Sequence, residues 1–190
     1  MIRFMKYGLL LSVTIVILFG NAGYSEIINH DTCLLTLDKN VQSVLSASPD
    51  KYTPEQTDKL ITLTSCFNHL SLPALTITLL TDNRFKPEST LLSTQQEISI
   101  FQNLAQAYKQ NQDFLHAEEY YKKILERYSD QQNEDSVLAV SFALTDMLLE
   151  ENKTEKASLY FLLIHKMIDS KPSAFNLQCK LLLHEAKAAR

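Results

Sequence analysis

Between Ile98 and Ser129 the apolar positions follow helical spacing twice. Phe101, Leu104, Ala105 and Tyr108 recur at i, i+3, i+4 and i+7; after a polar break come Ala117, Tyr121, Ile124, Leu125 and Tyr128. That interval places side chains on one face of a helix. The break is Asn111-Gln112-Asp113, and Asp113 is suited to cap the second helix by accepting from its free first-turn N–H groups. The stretch therefore predicts two antiparallel helices joined by a short polar turn.

The same periodicity extends upstream. Cys33, Leu34, Leu37, Val41, Val44 and Leu45 predict a helix from Asp31 or Thr32 to about Ala47, ended by Ser48-Pro49-Asp50. Thr53-Pro54-Glu55-Gln56 restarts the pattern with a cap, a proline at the first helical position and a Gln three residues after the cap. Leu60, Ile61, Leu63, Thr64 and Phe67 carry that helix to about Leu70. Leu72-Pro73 opens a shorter one to about Thr81, with Leu75, Leu79 and Leu80 apolar and Ala74 as a small contact residue. Asp82 to Pro87 is a polar connection, and a helix from about Glu88 leads into Ile98.

Downstream, Asp130 to Asp135 reads as a polar loop. Leu144 and Leu148 then stand 40 residues after Leu104 and Tyr108, and Ala157, Phe161 and Ile164 stand 40 after Ala117, Tyr121 and Ile124. Ser141 and Thr145 fall where an aromatic and a small residue would repeat. Pro172 starts a last helix to Arg190. Phe175, Cys179, Leu182, Leu183 and Ala186 form its expected core face, and Leu177, Leu181 and Ala188 a narrower opposite stripe.

A large aromatic, a Leu-Ala pair and a Tyr on one helix, facing a small Ala and an aromatic on the next, resembles the tetratricopeptide repeat (TPR). Phe101 takes that family's first aromatic position, Leu104-Ala105 its Leu-Gly pair, Tyr108 its Tyr, Ala117 its small residue and Tyr121 the following aromatic. Ile124 replaces the usual second Ala, and Ser129 the usual Pro. The family period is about 34 residues, so the second copy is offset by the inserted loop. The resemblance implies an all-α fold of antiparallel hairpins stacked as a short TPR-like α-solenoid, with seven to eight helices. Its best repeats are 98–129 and 138–169, with degenerate helical pairs over 31–82 and a terminal helix over 172–190. It also implies an interaction role, not a particular partner.

The N-terminus changes the picture. Arg3 and Lys6 precede the uncharged apolar run Gly8 to Phe19, and small residues follow through Ser25. This pattern predicts a secretory signal peptide over 1–25, cleaved after Ala22 or Ser25. An uncleaved membrane anchor is the alternative, although the run is shorter than the ~20 residues that span a bilayer comfortably. The helical domain is then 26–190, in the periplasm of a bacterium or outside the cell. Composition agrees with helices: 3 glycines and 5 prolines in 190 residues. The net charge of −4, with no basic patch, argues against nucleic acid. Removal of 1–25 leaves 16 basic against 22 acidic side chains, a net of −6.

Export also bears on the cysteines. Cys33 and Cys66 are symmetric about the turn at Pro49-Asp50, which sets them at equal height in an antiparallel hairpin. An oxidising compartment favours a disulfide there, worth about 3 kcal/mol for a loop of roughly 30 residues. Two buried free thiols are the alternative. Cys179 is left over.

Little points to catalysis. His30, His69, His116, His165 and His184 are scattered, no helical zinc spacing or Cys-x-x-Cys occurs, and no cysteine has a base beside it. Glu118-Glu119 and Glu150-Glu151 read as solvated surface, and phosphate loops lack their glycines. The chain is expected to be a non-enzymatic adaptor or scaffold without a cofactor or metal. In the resembled family the first helix of each pair lines a concave face. The residues so placed are Ser99, Gln102, Gln106 and Lys109, then Phe142, Asp146 and Leu149. Such a face suits a partner peptide or protein, with Phe142 as aromatic anchor. Gln102 and Gln106 stand where the Lys and Asn of a carboxylate clamp would be, so that specialised role is not expected. Leu177 and Leu181 form the second candidate contact, leaving self-association through the terminal helix open. The other reading is a membrane-tethered structural subunit of a bacterial envelope complex.

Overall fold

The computed structural model describes residues 53–81 and 92–169, together with Cys33, Leu181, Leu182, Glu185, Ala186 and Ala188. Six helices run through them: α1 (Pro54–His69), α2 (Pro73–Thr81), α3 (Thr94–Gln110), α4 (Phe114–Asp130), α5 (Glu134–Glu150) and α6 (Thr154–Asp169). No strand occurs among the described residues, and the class is all-α. No helix among them is long and apolar enough to cross a membrane. The expected leader, most of the helix from Asp31, the Asp82–Pro87 connection, Glu88, Pro172, Leu177 and Cys179 lie outside the described residues.

The helices start where their sequence provides acceptors. Thr53 and Gln56 form the expected capping box, the Thr53 hydroxyl accepting from the Gln56 N–H and Gln56 Oε1 from the Thr53 N–H. Ser93 and Gln96 repeat the device at α3, which starts at Thr94. Asp113 and Asn133 accept from the His116 and Ser136 N–H groups. Each satisfies a donor that helix geometry leaves without an intrahelical partner.

Four connections have one design. Ser71, Gln112, Gln132 and Asn152 each take a left-handed backbone, with φ between 54° and 61°. The next N–H reaches back to the carbonyl five residues earlier, as in Leu72 to Phe67, Asp113 to Tyr108, Asn133 to Tyr128 and Lys153 to Leu148. This is the Schellman end of a helix. In the second and third of these turns the residue that closes it also caps the next helix. Asp130 belongs to α4, so only Gln131, Gln132 and Asn133 connect it to α5. The 40-residue offset therefore comes from 17-residue helices and three-residue turns, and the expected inserted loop is absent.

Hydrogen bonds fix the helix directions. Gln96 Nε2 donates to Asp58 Oδ1 and the Pro54 carbonyl, and Gln110 Nε2 to the Asn68 carbonyl. α1 and α3 thus run parallel. Arg127 at the end of α4 holds Glu97 at the start of α3 through two bonds of 2.7 and 2.9 Å, so these helices are antiparallel. Lys109–Glu150 joins matching ends of α3 and α5, and Lys156–Glu118 matching ends of α6 and α4. Each helix from α3 to α6 packs on the one before it, and α1 packs on both α2 and α3.

The seam between α1 and α3 pairs an apolar cluster of Leu60, Leu63, Ile100 and Leu104 with buried polar bonds. Asn103 Nδ2 donates to the Ile61 carbonyl and the Thr64 hydroxyl, both at 2.9 Å, and Asn68 Nδ2 donates to the Asn103 carbonyl. Thr76 Oγ1 donates to the Thr64 carbonyl across α2. Thr76 and Leu80 are therefore the buried contacts of α2, whereas Ala74 and Leu75 are exposed. Threonine suits that position because its hydroxyl, buried there, finds an acceptor in the Thr64 carbonyl. Farther along, the largest cluster joins Ala117 of α4 to Leu138, Phe142, Leu144 and Met147 of α5 and Ala157, Phe161 and Ile164 of α6. Ser141 and Thr145 are buried within α5, their hydroxyls returned to the Val137 and Ser141 carbonyls.

The last described residues reverse the expected facing of the terminal helix. Leu181 is 2 % exposed and belongs to the α5–α6 cluster, with Ala188 packed against it; Leu182 is 63 % exposed. His165 Nε2 on α6 meets Glu185 Oε1 at 2.7 Å. Leu181 and Ala188 of the narrower stripe face inward, onto the cluster of α5 and α6. Leu181 is thus unavailable as a surface contact.

Candidate interaction surface

The face expected from the helical pattern comes together in part. Ser99, Gln102, Gln106 and Lys109 all lie half-buried along one side of α3. Gln102 Nε2 donates to the Tyr128 hydroxyl at 3.4 Å. Lys109 Nζ meets Glu150 Oε1 at 2.9 Å, tying this side of α3 to α5. Asp146 and Leu149 of α5 are half-buried, and Leu149 packs on the α5–α6 core.

Phe142 does not join them. It is 2 % exposed inside the cluster that also takes in Leu181, so it is not an anchor on this face. Its burial follows from size: a phenyl ring on a helix that later chain covers gains more from packing than from solvent exposure.

Three residues of this region take roles that the sequence did not assign them. Tyr121 lies beneath it; burial pushes its phenol up to about 12, and the Glu150 and Asp146 carboxylates add to that. Tyr128 holds Gln102, and Glu150 holds Lys109. None was visible beforehand, because the pairing partners sit 26 and 41 residues away. Only the packing of α3 against α4 and α5 brings them close.

Glu118 corrects another expectation. It is 4 % exposed, gripped by Lys122 at 2.7 Å and Lys156 at 3.1 Å. Burial pushes its carboxyl up, but hydrogen bonds from the two lysines outweigh burial and hold it below the usual carboxylate range. At Glu97 the hydrogen bond from Arg127 does the same against a smaller desolvation. Both acids are structural ties.

Two further features appear only in three dimensions. Phe101, Tyr120, Tyr108 and His116 form a continuous row of rings across α3 and α4, with centroids 5.0 to 5.8 Å apart. Lys123 Nζ lies 4.5 Å over Tyr120, and Asp113 Oδ2 holds His116 Nδ1 at 2.7 Å. On α6, Leu159, Leu162 and Leu163 share one exposed face, as i, i+3 and i+4 positions must.

Cys33 and Cys66 are both buried free thiols in the structure. The disulfide expected between them is not formed here. No metal-holding group of three or more His, Cys, Asp or Glu occurs among the described residues. Set against models of known protein families, curated proteins and solved structures, the chain matches none of them.

Proposed function

We propose that this is an exported, non-enzymatic interaction protein whose helical hairpins stack as a short TPR-like α-solenoid. A partner peptide or protein lies across the side of α3 that carries Ser99, Gln102, Gln106 and Lys109, and continues over Asp146 and Leu149 of α5. The observation that carries this reading is the Lys109–Glu150 bridge at 2.9 Å. It links two parallel helices across the hairpins, so their half-buried polar side chains border a common face. Parallel α1, α3 and α5 on one side, with parallel α4 and α6 on the other, are what stacked hairpins require. With Phe142 in the core, recognition rests on amide hydrogen bonds and the Lys109 and Asp146 charges, which suits an extended segment.

A photo-crosslinking residue at Gln106, and separately at Leu162, tests this in the full-length protein produced in its own cells. Crosslinks to one protein from Gln106, lost with Gln102→Ala/Lys109→Glu at unchanged helical circular dichroism, are expected. Crosslinks from Leu162 alone would move the interaction to α6 and overturn the proposed face. N-terminal sequencing of the purified protein tests export. A start near Gly23 or Glu26 is expected, and an intact Met1 would favour the tethered reading.

A further inference from the structure

We propose that α6 is a self-association surface: a second copy of this chain docks on it antiparallel, α6 against α6, about a two-fold axis. The terminal helix does not offer Leu181 for such a contact, because that leucine is buried. On α6, by contrast, Leu159 is 65 %, Leu162 67 % and Leu163 38 % exposed. They share one face of a helix whose opposite face, Ala157, Phe161, Ile164 and Ile168, is in the core.

That outer face carries two charges as well. Glu155, Leu159, Leu162 and Lys166 are spaced 4, 3 and 4 residues apart, the interval of a coiled-coil seam. Glu155 and Lys166 are both exposed. The seam is thus a pair of leucines with an acid at its start and a base at its end.

The arrangement is complementary to itself. Leu159 and Leu162 lie equally far on either side of the point between Tyr160 and Phe161, and so do Glu155 and Lys166. A two-fold axis through that point sets Leu159 of one protomer on Leu162 of its partner, and Glu155 against Lys166, each twice over. A parallel pair would instead face acid with acid and base with base, and like charges brought together oppose association. Charge and apolarity therefore both commit this face to a second copy in the antiparallel sense, an isologous contact that closes at the dimer.

Size sets the strength. Three leucines and two charges per protomer form less surface than an obligate dimer buries, so pairing depends on concentration. The face shares no residue with the side of α3 and α5 proposed to hold a partner. Glu155 and Lys166 also suit the ends of α6 on which they stand, an acid in the first turn and a base in the last. Reversing both charges separates the two roles, since it opposes the helix dipole and yet restores attraction across the axis.

The test is sedimentation equilibrium of the purified full chain over a wide range of concentration, with circular dichroism of each variant. Wild type is expected to pass from monomer to dimer as concentration rises. Leu159→Asp/Leu162→Asp should stay monomeric with its helical spectrum unchanged. Glu155→Lys or Lys166→Glu alone turns two attractive pairs into two repulsive ones, and should raise the dissociation constant on the order of 10-fold. Glu155→Lys/Lys166→Glu should bring it back to within about 3-fold of wild type. A monomer at every concentration, a dimer that survives the leucine substitutions, or a double reversal no tighter than either single one would each overturn the proposal.

Discussion

Gln112 and Gln132 hold a left-handed backbone that a side chain with a β-carbon resists. They keep it because the following N–H group closes the preceding helix and the following residue caps the next. Glycine adopts that conformation freely. Gln112→Gly and Gln132→Gly are each expected to stabilise the protein by about 0.5–1 kcal/mol, after the entropy glycine gives the unfolded chain is deducted. Urea unfolding of the single and double variants checks this, and the two effects should add. Asn103 carries the opposite expectation. Asn103→Ala leaves the Asn103 carbonyl bond intact but strips a donor from the Ile61 carbonyl and Thr64, a loss of about 1–3 kcal/mol in the same assay. Phe142→Ala should cost about 3–5 kcal/mol as a core truncation. A partner lost with that variant would report unfolding, not a missing anchor. The caps at Thr53 and Asp113 were readable in the sequence because a cap is settled within four residues. The burial of Phe142 was not, since it depends on which later residue covers it.

At the scale of elements, helix identity was legible from spacing alone, and so was the Ile98–Ser129 hairpin. The length of the helices was not. Polar residues from Asp130 to Asp135 looked like a loop, yet Asp130 stays helical and Glu134 and Asp135 open α5, because an exposed helix surface and a loop share a composition. Glu118 was misjudged for the related reason that adjacent glutamates on a helix usually face solvent. Its partner Lys156 comes from α6. Glu118→Gln should destabilise the protein by about 1–2 kcal/mol at pH 7, the half-exposed lysines limiting the loss. Lys156→Met should show a smaller loss by thermal melting, because Lys122 still holds the carboxylate.

Across the whole molecule, the paired acids set the response to acid. The Glu97 and Glu118 carboxyls lie below the ordinary 4.5 in the folded chain, so the unfolded chain binds protons first as pH falls. Their stabilisation is complete above about pH 4.5 and is lost as pH drops through the folded-state values. Melting temperature should fall steeply below that pH in wild type and less steeply in Glu97→Gln/Glu118→Gln. At the alkaline end the sign reverses. Tyr121 is raised from 10 to about 12, so its contribution is whole below pH 10 and lost as pH rises toward 12. Tyr121→Phe should remove that part of the alkaline destabilisation.

The sequence by itself determined that the described chain is helical and where three of its six helices begin. Those are consequences of periodicity and of bonding within a few residues. Only the tertiary structure decided which face of each helix is covered. Leu181 turned inward and Leu182 outward although both fit a helical stripe, because only one of the two can join the apolar cluster of α5 and α6. The ties Lys109–Glu150, Glu118–Lys156 and Asn103–Thr64 belong to the same class. Each joins residues 38 to 41 apart, a distance over which local bonding carries no information and only the packing of helices brings donor to acceptor.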